Sequence, residues 1–252
     1  MQDATERFSG KQTDYAAARP SYAQGLLDRL EALYPPPGPW EAADVGSGTG
    51  KLSAQLLQTG FTVYAVEPNR DMRLQAEREL GSHSAFHSLD GCDRETGLKD
   101  RSVDFVTVAQ AFHWFDPDAF GRECRRILRE NGRVFLIWNV RNPQAPVTRE
   151  MAAVFQEYCP DFYGFSRGLK QDDPRIRAFF GGEYETWSFS HPLQYTEETF
   201  LRRAFSSSYS LPGEHPAFTQ YRQALCRVFR RFAVENQVTV DNETVVYTAR
   251  VR

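Results

Sequence analysis

The feature that most constrains the fold is an alternation of strand-like and helix-like patterns between residues 41 and 140. Short apolar runs, such as FTVYAVEP at 61–68 and RVFLIWNV at 133–140, are separated by helical patterns. Strands that are apolar along their whole length are buried on both faces, which is typical of a parallel sheet covered by helices. Right-handed crossovers connect such strands. We therefore predict an α/β fold with a doubly wound, mostly parallel sheet and helices on both of its faces.

The regular alternation stops after Val140. The next segment is helical in its middle and aromatic towards its end, and two helical patterns and two strand patterns follow it. We interpret this half as sheet completion plus a helical cap, so that the chain is a single domain. The predicted parts are an N-terminal lid at 1–22, a ligand-binding core at 23–140, an insertion or cap at 141–182, and sheet completion with substrate-side helices at 183–252.

The composition argues against a nucleic-acid or membrane partner. Apolar residues make up 41% of the chain and charged residues 25%, and the net charge is −3, so no basic field would hold a polyanion. No run reaches the ~18 apolar residues of a membrane span, and the N-terminus lacks the apolar core of a signal peptide. The cysteines have no metal-ligand spacing. We expect a cytoplasmic protein without a metal; the sequence leaves monomer and homodimer open.

The stretch DVGSGTGKLS at 44–53 joins a predicted strand to a predicted helix, the usual place of a nucleotide-binding loop. An ATP loop requires G-x-x-x-x-G-K-[ST], because its amides surround phosphates and its hydroxyl binds magnesium. Counted back from Lys51, Val45 stands where the first glycine belongs, and Leu52 stands where the hydroxyl belongs. The ATP-loop pattern therefore fails at two positions.

A dinucleotide loop requires G-x-G-x-x-G. Gly46 and Gly48 fit this pattern, but Lys51 occupies the third glycine position. The spacing Asp44-x-Gly46-x-Gly48-x-Gly50 instead resembles motif I of the class I methyltransferases that depend on S-adenosylmethionine (SAM). This resemblance implies a Rossmann-like fold with SAM as the methyl donor.

The residue types of the loop agree with such a cofactor. Glycine lets the backbone approach the amino-acid part of SAM closely, so we expect a Gly46→Val protein to stay folded and to bind SAM at least about tenfold more weakly. Asp44, at the end of the predicted strand, is expected to accept a hydrogen bond from the ammonium group of the cofactor. Glu67, at the end of the next strand, is expected to bind both ribose hydroxyls.

The segment after the third predicted strand would face the adenine ring. Related sequences read G-x-A-E before a TGL element, whereas this chain reads GCDR at 91–94, with the acid displaced by one position. We expect Asp93 to bind the adenine amino group and Cys92 to contact the ring through its backbone. The predicted cofactor-binding residues are Asp44, Gly46, Ser47, Gly48, Gly50, Glu67, Pro68, Met72, Cys92, Asp93, Ala109 and Gln110.

Two further segments resemble a particular group of methyltransferases. VAQAFHWFDPDAF at 108–120, preceded by YAAARPSY at 15–22, is similar to the methyltransferase type 11 group that includes the trans-aconitate methyltransferase type. The resemblance covers roughly residues 8–142 and implies a small-molecule acceptor and S-adenosylhomocysteine as product. It also implies an N-terminal lid. The predicted substrate and lid residues are Tyr15, Arg19, Trp114 and Arg141.

His113 is the one candidate for a catalytic residue. Histidine is the residue type best suited to act as a general base near neutral pH, and His113 follows the fourth strand, on the side where open α/β sheets bind ligands. A general base and a packed structural histidine are both consistent with the sequence, since attack on a sulfonium methyl needs mainly alignment. Of the neighbouring Phe112, Trp114 and Phe115, we expect two to belong to the core.

Two alternatives to a methyltransferase remain open at this point. A SAM-binding regulatory protein without turnover would carry the same loop. An NAD(P)-dependent oxidoreductase is disfavoured by Lys51 and by the lack of a Tyr-x-x-x-Lys pair. We also expect the aromatic residues of the cap to line an apolar acceptor pocket; these are Phe155, Tyr158, Phe162, Tyr163 and Phe165.

Overall fold

The computed structural model describes residues 20–35, 38–165, 173–207 and 209–251. The strands are β1 (Glu41–Val45), β2 (Thr62–Val66), β3 (Phe86–Leu89), β4 (Val103–Ala109), β5 (Leu128–Arg141), β6 (Glu185–Ser190), β7 (Leu193–Tyr195), β8 (Val238–Val240) and β9 (Asn242–Ala249). The helices are α1 (Gln24–Leu33), α2 (Lys51–Gln58), α3 (Arg70–Leu80), α4 (Pro117–Ile127), α5 (Pro146–Tyr158), α6 (Pro174–Phe180), α7 (Glu197–Phe205) and α8 (Phe218–Phe232), with a 3-10 turn at Phe112–Trp114.

The main sheet has the strand order β3-β2-β1-β4-β5-β9-β6. Strands β1 to β5 are mutually parallel, and β9 lies antiparallel between β5 and β6. The predicted doubly wound, mostly parallel sheet is confirmed. The strand order reverses between β1 and β4, and in open α/β sheets ligands bind at the carboxyl ends of the strands beside such a reversal. We call this side of the sheet the carboxyl edge.

Helices cover both faces of the main sheet, as predicted. On one face, α1, α2 and α3 bury leucines such as Leu26 and Leu56 against Phe105 and Phe135. On the other face, α4 and α6 pack against Trp138 and its neighbours. Side chains of one strand alternate between the two cores, which explains why the strands read as continuous apolar runs.

A third core lies outside the sheet and belongs to α5, α7, α8 and the β7–β8 ribbon, which we call the helical lobe. Phe155 and Phe162 are buried in this core, and Tyr163 is 83% exposed. The expectation that the cap aromatics line a pocket is therefore wrong for these three, since two fill a packed interior and one faces solvent. The other two, Tyr158 and Phe165, are half-buried against the same core.

Two element boundaries differ from the sequence pattern. The stretch YETWSFSHPLQYT at 184–196, whose pattern predicts one strand, is two strands in different sheets, β6 and β7. His191 and Pro192 interrupt it, and proline cannot donate to a ladder. Helix α4 ends at Ile127, and β5 begins immediately with an irregular register opposite β4. Asn131 absorbs that irregularity with a φ of 68°.

Candidate functional site

The glycine loop leaves β1 at the carboxyl edge and enters α2. Its three glycines have φ values of 71° at Gly46, 58° at Gly48 and 79° at Gly50, all in the left-handed region that glycine adopts without strain. The amides of Gly46 and Ser47 donate to the carbonyl of Val66 at 2.8 and 3.2 Å. The loop is thereby fastened to the end of β2.

The three glycines are needed for different reasons. A Cβ at Gly46 would lie 2.7 Å from the Cβ of Ala111, and a Cβ at Gly50 would lie 2.8 Å from Cδ1 of Leu80. At Gly48 the nearest atom is a side-chain sulfur at 3.8 Å. Gly46 and Gly50 therefore permit close packing within the protein, and Gly48 is the one of the three at which an added Cβ would meet nothing nearer than ordinary van der Waals distance. The close packing of Ala111 is thus a reason for glycine at Gly46 that the sequence did not predict, and the approach of the loop backbone to a ligand stays a prediction.

Glu67 lies where the sequence predicts it, beside the glycine loop. Its Oε2 accepts from the amide of Gly48 at 2.9 Å, and its Oε1 accepts from the amide of Asn69 at 2.9 Å. The residue is only 7% exposed, and burial raises the pKa of its carboxyl. Asn69 follows the predicted Pro68 and caps α3, because its side-chain oxygen accepts from the amide of the predicted Met72. Each carboxylate oxygen keeps a further lone pair for a hydroxyl.

Asp44 is placed differently from the prediction. It is fully buried, and its two oxygens accept from the hydroxyls of Ser53 at 2.7 Å and Thr107 at 2.9 Å. Burial raises its pKa to about 6, partly offset by these hydrogen bonds. The carboxylate ties β1 to α2 and β4, so it positions the loop and does not point towards a ligand.

Cys92 and Asp93 lie in the loop that follows β3. The amide of Cys92 donates to the carbonyl of Glu95 at 2.9 Å, which closes a tight turn. The carboxylate of Asp93 accepts from the amide of Asp116 at 3.1 Å, at the start of α4. The acid that the sequence assigns to adenine therefore also fastens this loop to α4.

Arg73 is a residue of this site that the sequence did not identify. Its guanidinium donates to the carbonyls of Glu67 at 2.8 Å and Pro68 at 3.0 Å, and it forms an ion pair with Asp90 at 2.9 Å. It thereby joins the ends of β2 and β3. The available signal was its position in the first turn of the helix after Glu67, with no motif to mark it.

The segment after β4 stands over the glycine loop. Gln110 has a φ of 58°, which is uncommon for a residue other than glycine. Its amide donates to the carbonyl of Ile137 at 2.9 Å, and its Nε2 donates to the carbonyl of Asn139 at 3.3 Å. Together with the preceding Ala109, it lies at the carboxyl end of β4. Such strained residues are retained where the surrounding structure holds them, often at functional sites.

The aromatic residues that follow divide as predicted. Phe112 is buried and Phe115 packs against the same core, whereas Trp114 is 37% exposed. His113 is half-buried on the 3-10 turn, with its ring centroid 4.8 Å from that of Trp114. The expectation that two of the three aromatics belong to the core is confirmed.

Arg141 ends β5, and its guanidinium lies 4.4 Å from the ring centroid of Phe165 in the helical lobe. It therefore bridges the carboxyl edge and the lobe. The predicted lid residues Tyr15 and Arg19 lie outside the described residues. Within the described ranges, no group of His, Cys, Asp and Glu side chains is arranged to hold a metal ion, and no helix is long and apolar enough to cross a bilayer.

Comparisons with known proteins agree with this geometry. Residues 43–136 match the family described as "Methyltransferase domain". The chain is 36% identical over 152 residues to an uncharacterized methyltransferase of Mycobacterium tuberculosis, which is 60% of the length of each protein. It is 28% identical over 212 residues to an uncharacterized methyltransferase-like protein of Schizosaccharomyces pombe, covering 82% of this chain and 80% of the relative.

Solved structures show the same fold. A provisionally assigned type II methyltransferase from Anaeromyxobacter dehalogenans superposes with a TM-score of 0.66 at 22% identity, covering 92% of this chain and 98% of that one. A protein provisionally assigned as a methyltransferase of an antibiotic biosynthesis pathway in Anabaena variabilis superposes with a TM-score of 0.64 at 20% identity, covering 93% and 99%. The α/β fold is therefore shared along nearly the whole chain.

Proposed function

We propose that this chain, which carries a domain of the class I SAM-dependent methyltransferase family, transfers the methyl group of SAM to a small-molecule acceptor. One observation carries the proposal: the carboxylate of Glu67 is fixed beside Gly48, a half-buried loop glycine at which an added Cβ would meet no atom nearer than 3.8 Å. A carboxylate at a strand end next to an approachable backbone suits a ribose and an amino-acid group together.

The residues present fit this cofactor. Glu67 would bind the ribose hydroxyls, the backbone at Gly48 would lie against the amino-acid part, and the half-buried loop of Cys92 and Asp93 would border the adenine. Asp44 acts behind the loop as a positioning residue, through Ser53. When bound, SAM supplies a methyl group on a positively charged sulfur.

The reaction is a direct displacement. A nucleophilic oxygen, nitrogen or carbon of the acceptor forms a bond to the methyl carbon while the carbon–sulfur bond breaks, and the electron pair of that bond stays on the sulfur. The product is S-adenosylhomocysteine. Where the acceptor atom carries a proton, His113 is our candidate to take it, since it follows β4 at the carboxyl edge.

The acceptor would lie on the side of Trp114 and Arg141. Trp114 offers an exposed aromatic face, and Arg141 offers a positive charge to an acidic group of the acceptor. The N-terminal lid with Tyr15 and Arg19 would cover this side and exclude water. The trans-aconitate type of acceptor, the cytoplasmic location and the choice between monomer and homodimer stay predictions.

Calorimetric titration tests the cofactor, and a metabolite library assayed for S-adenosylhomocysteine tests the activity. We expect micromolar binding of SAM, a raised melting temperature by mass action, and no binding of NAD or ATP. Tight NAD binding without SAM binding would overturn the proposal. SAM binding without turnover of any library compound would favour the regulatory alternative.

A further inference from the structure

The chain just before α1 is held at the carboxyl edge by side chains of β5, β9 and the residue after β6. The carbonyl of Ser21 accepts from Nδ2 of Asn139 at 2.8 Å and from Nε2 of His191 at 2.8 Å. The amide of Ala23 donates to the buried hydroxyl of Thr244 at 2.9 Å. We call residues 21–23 the anchor segment.

Asn139 connects this anchor segment to two other parts of the edge. Its Oδ1 accepts from the hydroxyl of Thr244 at 2.7 Å, while its Nδ2 donates to Ser21. Its backbone carbonyl accepts from Nε2 of Gln110 at 3.3 Å. Both functions of the side-chain amide are used, one as donor and one as acceptor, which no aliphatic or acidic residue can reproduce.

Gln110 makes this connection relevant to the glycine loop. It holds a left-handed backbone conformation at the end of β4, and the next residue, Ala111, packs directly against Gly46. A shift of the backbone at Gln110 would therefore push Ala111 towards Gly46, where the packing leaves no space for a closer contact. The anchor segment, Asn139, Gln110 and the glycine loop form one continuous chain of contacts.

We propose that Asn139 is a positioning residue for methyl transfer. Its side-chain amide holds the anchor segment and its backbone carbonyl holds Gln110, the strained residue beside the glycine loop, so that Asn139 couples the two. Its role in methyl transfer rests on the proposed function; the coupling itself does not. Because coupling between two sites is reciprocal, a ligand that orders the segment after β4 also orders the anchor segment.

The substitution Asn139→Asp tests the coupling, because it keeps the size of the side chain and the oxygen facing Thr244 but removes the donor to Ser21. Hydrogen exchange is measured at the amides of Ala23 and Gln110, whose own acceptors, Thr244 and Ile137, are unchanged. We expect both amides to exchange about tenfold faster, as for the loss of about 1.4 kcal/mol of local stability.

Two control variants separate coupling from general destabilisation. Thr244→Ser keeps the hydroxyl and should exchange like the unmodified protein. In the second control, Ser188→Ala, the exposed hydrogen bond that Ser188 Oγ of β6 donates to Glu243 of β9 at 2.6 Å is lost. The contacts of the anchor segment stay unchanged. If Asn139→Asp accelerates exchange at Ala23 only, or if Ser188→Ala accelerates both amides equally, the coupling is overturned.

A second measurement distinguishes this inference from the proposed function. S-adenosylhomocysteine, added at saturation, should slow exchange at Ala23 in the unmodified protein and slow it much less in Asn139→Asp. If S-adenosylhomocysteine does not bind at all, the proposed function fails, while the exchange rates without ligand still decide the coupling. With an acceptor in hand, Asn139→Asp should lower kcat about tenfold and change the affinity for SAM less than twofold; unchanged kcat would overturn the positioning role.

Discussion

The carboxyl edge and the helical lobe are built on different principles. At the edge, buried polar groups such as Asp44, Glu67 and Thr107 are each fixed by hydrogen bonds of defined direction. In the lobe, the interior is filled by aromatic side chains, among them Phe155 and Tyr221. Directional contacts tolerate little change, whereas apolar cores accept many volume-conserving replacements. The region that matches the methyltransferase family, 43–136, contains the whole glycine loop and ends before the lobe begins.

The largest expected effect lies in the lobe and would sharpen this contrast. Phe155 is fully buried, so Phe155→Ala should lower the free energy of unfolding by about 3–5 kcal/mol through lost transfer energy and a cavity. Affinity for SAM should stay within about twofold at temperatures where the variant is folded. Urea denaturation and calorimetry measure the two quantities. The control variant Phe155→Leu should lower the free energy of unfolding by less than Phe155→Ala does. If SAM affinity falls together with stability in the two variants, the lobe and the edge do not differ in the way described.

Gly46→Val should be the most damaging loop substitution. The new side chain would meet Ala111 at 2.7 Å and force a β-branched residue to a φ of 71°. We expect a loss of about 2–4 kcal/mol in unfolding free energy, measured by denaturation. This differs from the expectation from sequence that the variant keeps its fold and loses only SAM affinity. If Gly46→Val has normal stability and loses only SAM affinity, the expectation from sequence holds and the contact with Ala111 is not what requires glycine here.

The pH dependence of stability tests the burial of Asp44. Burial raises its pKa to about 6 from 3.8, so the native state holds this proton more tightly than the unfolded chain. Its contribution to stability is therefore full below pH 3.8 and is lost as the pH rises through 6. Denaturation at pH 4 and pH 7 should show that the free energy of unfolding is lower at pH 7 because of this group. Asp44→Asn should reduce that difference by about 1–3 kcal/mol.

The control for that measurement is Asp161→Asn, an acid-to-amide change at an exposed position. In this variant the difference in unfolding free energy between pH 4 and pH 7 should equal that of the unmodified protein. An Asp44→Asn protein with the same pH dependence as this control would mean that the Asp44 carboxylate is solvated.

The smallest effect on the fold is expected at Gly48, where a methyl group meets no atom nearer than 3.8 Å. Gly48→Ala should cost about 1 kcal/mol of stability through its φ of 58°. SAM affinity should fall at least about tenfold, because the added methyl group occupies the ligand side of the loop. Gly60→Ala, another glycine at positive φ with open surroundings, is the matched control for strain. Equal SAM affinity in both variants would place the ligand elsewhere.

The sequence predicted the edge better than the lobe, for a physical reason. Glycines at alternate positions and Glu67 are local signals, because a tight turn and a strand end leave their mark within a few residues. The side chain of Asn139 bonds to Ser21 and Thr244, which are 118 and 105 residues away, and Asp44 bonds to Thr107, 63 residues away, so no spacing rule marks these pairs. Arg73 bonds to nearer residues, but it stands in no motif. In the lobe, aromatic composition was equally consistent with a pocket and with a packed interior, and only the tertiary contacts of Phe155 and Phe162 distinguish them.

The position of β9 has a consequence for how the chain assembles. The hydrogen bond from Ala23 to Thr244 spans 221 residues, and β6 pairs in the main sheet with β9 alone. During synthesis from the N-terminus, β1 to β5 emerge and can pair early, while the outer side of β5 stays an open strand edge until β9 leaves the ribosome. Open edges recruit foreign strands. Of the described strands, β9 is the furthest along the chain, and its pairing covers the open edge of β5 and holds β6 in the sheet. The exposure of that edge in the nascent protein therefore ends only when β9 has been made.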